Sequence, residues 1–161
     1  MKRIAIFTVS ILLLAGCATS EQRLQRRAER EAAVAEMISN KSFKIRADHM
    51  YPQRYPSRPV MSEFWLQLHD GVLNSYLPFF GQVHTPSMLT PSQGLNFEAP
   101  VLAFDESRND RKQYTEFDIR VRSDEDAYLY VVTIYDNGNA EIYVRGNNRD
   151  YIRFTGEIEE E

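Results

Sequence analysis

Beyond Ser42 the chain alternates apolar and polar residues with a period of two, the mark of half-buried strands. Phe43 and Ile45 alternate with Lys44 and Arg46 as a first strand. Glu63 to His69 and Val72 to Leu77 are strand-like runs on either side of Asp70-Gly71. A two-residue Asp-Gly between apolar runs predicts a hairpin, because both central positions of a type I′ turn need positive φ. Leu95 with Phe97 marks a short strand and Val101 to Phe104 another. Phe117, Ile119 and Val121 alternate with Asp118, Arg120 and Arg122, giving a strand with one wet face. Ala127 to Tyr135 and Ala140 to Arg145 flank Asn137-Gly138 as a second hairpin, and Tyr151 to Ile158 is the last strand. Three segments interrupt this texture. Met50 to Pro59, with three prolines, reads as a loop or irregular edge. Gln82 to Gln93 is a long loop, and Glu106 to Lys112 a polar one. About eight short strands, two hairpins and no internal helix predict a mostly β domain, its antiparallel sheet forming an open barrel or a two-layer sandwich.

Ahead of this domain the period changes. Ser20 to Asn40 holds no Gly or Pro and is rich in Arg, Glu and Ala. Leu24, Ala28, Ala32, Ala35 and Ile38 recur at helical spacing, with Ser20 as N-cap and Asn40 as stop. Such a stripe, mostly alanine, offers little apolar area for docking. It predicts a solvated tether helix lying along the domain, with an amphipathic helix for a partner or a lipid surface as the alternative.

The first residues form three parts: cationic Met1-Lys2-Arg3, an apolar run from Ile4 to Leu14, and Leu14-Ala15-Gly16-Cys17. This is the order of a secretory signal, and the apolar run is shorter than the roughly 20 residues of a membrane span. The last four residues resemble the lipobox of bacterial lipoproteins, in which the cysteine becomes the first mature residue and carries palmitate-like acyl chains. The expected organisation is a signal peptide over 1–16, a lipidated tether and helix over 17–41, and a β domain over 42–161. The expected place is the cell envelope, lipid-anchored through Cys17 to a membrane facing the periplasm or the cell surface.

Composition narrows the chemistry. Cys17 is the only cysteine, so once acylated it leaves no thiol for a nucleophile, a disulfide or a thiolate metal site. The net charge is −4, and losing Lys2 and Arg3 makes it more negative still. A mildly acidic chain lacks the basic footprint that nucleic acids require. His49, His69 and His84 are far apart and in no metal-ligand spacing, so neither a metal nor another cofactor is expected. Asp136-Asn137-Gly138-Asn139-Ala140-Glu141 looks faintly like a calcium loop, but alternation resumes within two residues of the glycine, favouring a hairpin. Asp124-Glu125-Asp126 reads as an acidic turn. No Gly-x-Ser-x-Gly elbow, Ser-x-x-Lys pair or phosphate-cradling glycine loop occurs, so no catalytic residues are expected and the chain is not read as an enzyme.

Aromatics are the positive feature. Tyr128, Tyr130, Tyr135, Tyr143 and Tyr151 lie on the C-terminal strands, and Phe64 and Trp65 occupy opposite faces of an earlier one. Tyr128 and Tyr130 share a face with Val132 and Ile134 and are expected in the core, whereas Tyr135 falls on the other face. Tyrosine joins a flat apolar body to a polar tip, suited to stacking a sugar or gripping a peptide, and equally to cross-strand pairing. Trp65, His84 and Tyr135 are the expected ligand-contacting residues.

Several stretches, in order, resemble a family of small bacterial lipoproteins catalogued as domain-of-unknown-function family 4251. They are the lipobox, the Ala/Arg/Glu helix, Ser42-Phe43, the run Asn74-Ser75-Tyr76-Leu77-Pro78-Phe79-Phe80-Gly81, the run Gly94-Leu95-Asn96-Phe97-Glu98-Ala99-Pro100, Asp136-Asn137-Gly138, and Phe154-Thr155-Gly156-Glu157-Ile158. The resemblance implies an envelope lipoprotein with a mostly β domain and implies no activity. Together these features favour a non-catalytic β domain that binds an envelope protein or glycan partner. Its expected contacts are the Gln82–Gln93 loop and the Met50–Pro59 segment. The alternatives are a structural accessory of an envelope complex and, less favoured, a hydrolase.

Overall fold

The computed structural model describes residues 2–83 and 94–159, with the backbone alone for residues 2–19 and Ser62. A single helix, α1 (Lys2–Ser39), precedes eight strands. These are β1 (Phe43–Pro52), β2 (Arg58–His69), β3 (Val72–Pro78), β4 (Gly94–Asn109), β5 (Tyr114–Arg122), β6 (Ala127–Tyr135), β7 (Asn139–Gly146) and β8 (Ile152–Ile158). Each strand pairs antiparallel with the next, and β8 returns to pair with β1, so the sheet closes as an up-and-down barrel. The open choice between barrel and sandwich thus resolves to a barrel.

Alternation decides which residues go inside. β6 is the clearest case: Tyr128, Tyr130, Val132 and Ile134 are buried while Ala127, Leu129, Val131, Thr133 and Tyr135 are only partly so. An eight-stranded barrel has an interior just wide enough for side chains to fill it or for one small ligand. Here side chains fill it, with Phe117, Tyr130, Phe154, Leu66, Leu77 and Ile142 essentially inaccessible. Polar groups share that interior, with the Tyr130 hydroxyl donating to Ser75 Oγ at 3.1 Å. The outer wall carries Lys44, Arg46, Gln67, Asp118 and Arg120 at the alternate positions. That is the reverse of a membrane-spanning barrel, whose outer band is apolar. Among the described residues no helix is long and apolar enough to cross a membrane.

Both expected hairpins form, through different turns. Asp70 (φ 48°) and Gly71 (φ 72°) make the two-residue turn that positive φ at both positions requires. The β6–β7 turn has three residues, Asp136 to Gly138, with the Gly138 amide donating to the Tyr135 carbonyl and only Gly138 at positive φ. Elsewhere the strands run further than the local pattern indicated. Leu95–Phe97 and Val101–Phe104, read as two strands, are one sixteen-residue strand, β4, bent by a register shift between Val101 and Ala103. Its end pairs with β5 through Asp105, Glu106, Ser107, Arg108 and Asn109, so most of the expected polar loop is ladder. Both faces of that extension are wet, which removed the alternation. The expected 50–59 loop shrinks to residues 53–57, because Pro52 and Pro59 sit at strand ends where the missing amide is tolerated.

The helix departs most from expectation. It runs unbroken through Ser20, so that residue is not its N-cap. Its inward face is Val34, fully buried, with Met37 and Ile38 packed beside it, while Ala28, Ala32 and Ala35 are exposed and Leu24 is 68% accessible. Larger apolar side chains set the docked face, because buried area rather than stripe length supplies the energy. At its end Lys41 adopts φ 52°, and the amides of Ser42 and Lys41 bond back to the carbonyls of Met37 and Ile38. This is the Schellman stop with a lysine in the glycine position. The last turns of α1 therefore close the barrel end at which β1 begins, here termed the lower end. The loops at 53–57, 123–126 and 147–151 gather at the upper end.

Closure depends on Gly156. An added Cβ there would run into the Arg46 carbonyl oxygen on β1, beside the bulge between Ala47 and His49. Gly156→Ala is expected to cost about 3 kcal/mol or more in urea denaturation, since backbone cannot yield as a side chain can. Gly71→Ala, where nothing lies within 4 Å, should cost only about 1 kcal/mol, for its positive φ. Burial also pushes the Tyr128 hydroxyl up to about 12, and that of the wholly buried Tyr130 further. A raised folded value means stability is intact below the unfolded value of about 10 and lost as pH rises through the folded one. Denaturation midpoints should fall steeply above about pH 10, with Tyr128 and Tyr130 ionising at higher pH in the folded than in the unfolded protein by ultraviolet titration.

Candidate functional site: an outer aromatic band

The expected contact residues are not gathered in one place. Trp65 lies on the outer face of β2 and Tyr135 at the end of β6, four strands apart in either direction around the barrel. His84 lies outside the described residues, as does most of the Gln82–Gln93 loop. For Cys17 the backbone alone is described, within α1.

Trp65 looks onto a groove of about 870 Å³ between α1 and the β1–β2 wall, with Ala33, Met37 and Lys44 around it. The Lys44 ammonium stands 5.4 Å over the indole and also pairs with Glu159 at 2.7 Å. Tyr76 packs 6.1 Å away on β3. Nearby, Ser42 Oγ is 2.9 Å from His69 Nδ1, and His69 Nε2 is 3.3 Å from Asp70. The three residue types are those of a hydrolytic triad, but the arrangement is a cap on a turn. Asp70 is 89% exposed, and the amides of Asn40, Lys41 and Ser42 are all engaged in ending α1. Acyl transfer needs a buried orienting carboxylate and free amides for the oxyanion.

Tyr135 belongs to a larger assembly. Its hydroxyl donates to Glu141 Oε1 at 3.3 Å, and Arg153 Nη1 donates to the other oxygen of the same carboxylate at 3.3 Å. The Arg153 guanidinium stands 4.5 Å over the Tyr51 ring. In the ladder Arg153 is flanked by Tyr51 on β1 and Tyr143 on β7, so the three form one outward row. Tyr151, 41% exposed, completes it with its ring 5.4 Å from that of Tyr143 and tilted by 37°. Two shallow grooves follow the band, about 550 Å³ beside Tyr135 and about 570 Å³ among Tyr51, Tyr143 and Tyr151. Burial and then Glu141 raise the Tyr135 hydroxyl above its ordinary value. Alternation along β7 and β8 already places Glu141, Tyr143 and Arg153 outward together. Tyr51 was hidden, because nothing local shows that the first strand pairs with the last.

At the upper end, charged groups hold the loops rather than await a cation. Asp126 accepts from the amides of Ala127 and Asn148, and Glu125 pairs with Arg149 at 3.1 Å. Arg149 is buried, with its guanidinium 5.0 Å over Phe79 and 5.4 Å over Tyr128, and Nε and Nη1 have no oxygen partner among the described residues. Those two N–H groups sit among ring faces, which attract cations. Asp150 takes Arg54 and the Gln82 amide. The acidic turn at residues 124–126 thus faces a cation of the protein's own. No group of carboxylates and histidines fit to hold a metal occurs among the described residues. The faint calcium motif is likewise occupied: both Asp136 oxygens receive Arg108, at 2.6 and 2.8 Å.

The fold and surface define a small, solid, up-and-down β-barrel capped by its own helix, with Trp65 and Tyr135 on the outside wall. The profile of the family described as Domain of unknown function (DUF4251) matches residues 25–158, and the chain belongs to that family. A crystal structure of a DUF4251 family protein from Bacteroides eggerthii DSM 20697 has the same fold. The TM-score is 0.63 at 12% sequence identity, over 83% of this chain and 89% of that one. Among curated proteins none matches the chain's sequence.

Arg108 holds the Asp136 carboxyl below its ordinary range, the hydrogen bond outweighing partial burial. A depressed value contributes stability that is present above the ordinary carboxylate value near 4 and lost as pH falls through the folded one. With the Arg108 side chain 40% exposed, screening limits the pair, and Asp136→Asn should cost about 0.5–1 kcal/mol at pH 7. That difference should vanish in denaturation curves taken near pH 2, well below the ordinary carboxylate value of about 4.

Proposed function

We propose that this protein is a non-catalytic binding domain of the cell envelope, tethered by acyl chains on Cys17, which presents its upper end and outer band to an envelope partner. One observation carries the reading. The helix that leads from Cys17 closes the lower end of the barrel with Val34, and the interior is filled. What remains for a ligand is the outer wall and the upper loops. Exposed aromatics are found there: Tyr55 and Phe80, 4.5 Å apart, with Arg58 stacked 3.7 Å over Phe80, and Tyr151 on the neighbouring loop. Part of the expected 50–59 contact segment thus lies at the end away from the tether. Rigid strands carrying rings and guanidinium groups on their loops suit recognition rather than turnover.

The anchor follows from Leu14-Ala15-Gly16-Cys17 after an apolar run. Each buried methylene contributes about 0.8 kcal/mol, and two or more chains give stable attachment. A docked helix with the cysteine at its far end would hold the barrel near the membrane and its upper end outward. Cells grown with labelled palmitate should label the protein, with the mature chain beginning at Cys17. Cys17→Ser should abolish the label and move the protein from the membrane to the soluble fraction. A wild-type protein that stays unlabelled and keeps its first sixteen residues would remove both anchor and location.

A second reading has an observation of its own. The groove beside Trp65 is larger than either groove along the band and is bounded by the docked helix. A structural accessory would use it to seat in an envelope complex. Crosslinks placed at Trp65 and at Tyr55 in intact cells separate the two, since a fixed protein neighbour at Trp65 alone favours assembly.

A further inference from the structure

We propose that the band formed by Tyr51, Tyr143, Tyr151, Arg153, Glu141 and Tyr135 is a binding site for a neutral glycan chain, held by sugar rings stacking on the tyrosines. This deepens the binding reading above and rests on it.

Three features of the molecule point to that ligand. First, the rings are fixed in place. Tyr51, Arg153 and Tyr143 form one row across three hydrogen-bonded strands of a closed barrel, and Arg153 is pinned between Tyr51 and Glu141. A ligand that stacks on such rings does not have to order them, which lowers the cost of binding. Second, the charges along the band are matched: Asp48 and Glu157, which line the groove beside Tyr135, pair with Arg46 and Arg30. The carboxylate of Glu141 is met by Arg153 at 3.3 Å and by the Tyr135 hydroxyl. An anionic polymer would need an unmatched cation here, and a cationic one an unmatched carboxylate. Third, little edge is left for an added strand. β7, β8 and β1 as far as Met50 are paired on both sides, so their backbone groups are engaged in the ladders. An extended peptide would lose the main-chain hydrogen bonds from which strand addition draws its affinity. What the band offers is flat apolar faces edged with hydroxyl, carboxylate and guanidinium groups. A pyranose ring presents the complement, an apolar C–H face edged by hydroxyls. The grooves beside Tyr135 and among Tyr51, Tyr143 and Tyr151 lie along one line through Glu141 and Arg153, which fits a chain of sugars better than a single one.

The test uses the full chain with its signal removed. It is titrated calorimetrically with cellohexaose, chitohexaose and maltohexaose, and separately with an oligogalacturonate and a proline decapeptide. At least one neutral hexasaccharide should bind, and Tyr143→Ala and Tyr151→Ala should each weaken it about tenfold. Tyr143→Phe should retain most of the affinity, because the ring and not its hydroxyl does the stacking. Thermal melts of the variants, matched to the parent, establish that the barrel is intact. Trp65→Ala, on the far wall, should change nothing. No binding by any neutral hexasaccharide overturns the proposal, as does binding that survives both alanine variants, or tighter capture of the acidic sugar or the peptide. The broader reading is judged separately: a partner crosslinked at Tyr55 in cells, with no glycan bound, leaves a protein-binding domain and removes only the sugar.

Discussion

Closure of the sheet between β1 and β8 is the contact on which the rest of the structure depends. It is a narrow fit. Gly156 has no side chain because the Arg46 carbonyl occupies its place, and the bulge between Ala47 and His49 bends β1 to meet it. Without closure two edges would lie open and the inner face would stay wet on one side. With it, Ile45, Phe154 and Ile158 join Phe117, Tyr130 and Ile142 in one core. The same contact sets Tyr51 against Arg153 and so creates the outer band. Stability and surface chemistry therefore share one origin.

The two ends of the barrel meet the demands of burial differently. The lower end is sealed by apolar contact, with Val34 over a floor of Phe43, Phe104 and Phe117 whose rings pack at 5.3–5.4 Å. The upper end is sealed by charge. Arg149 and Asp150, neighbours in sequence, each reach under a different loop, one to Glu125 and the other to Arg54 and Gln82. Gly146 makes room for this, since a Cβ there would strike Asp126 and Arg149. A buried ion pair contributes little net stability but strongly penalises any arrangement that separates its partners. It suits an end where loops must be held in place and still face water.

The end that meets its own helix is dry, and the opposite end carries the rings and guanidinium groups left to solvent. Along β7, β8 and β1 as far as Met50 the strands are paired on both sides and offer little edge to other chains, so contacts on this wall fall to side chains. The side chains best fitted to them are tyrosines set at fixed spacing by the strands. Interior tyrosines on neighbouring strands serve the core instead, as Tyr130 does by donating its hydroxyl to Ser75.

From the residues alone one could read most of the strands, both hairpins and the inward set on β6, because each follows from periodicity or turn geometry within about ten residues. The helix stop at Asn40 is equally local. Tertiary structure decided what depends on distant pairs. The continuation of β4 to Asn109 exists because β5 runs alongside it, although neither of its faces is dry. The docked face of α1 is Val34 with Met37 and Ile38, so that of the expected stripe only Ile38 packs against the core, because the barrel mouth selects bulk. Tyr51 reaches Arg153 across a gap of about a hundred residues, where no pattern in the sequence ties the first strand to the last. Periodicity specifies which way a side chain points, and only closure specifies what it meets.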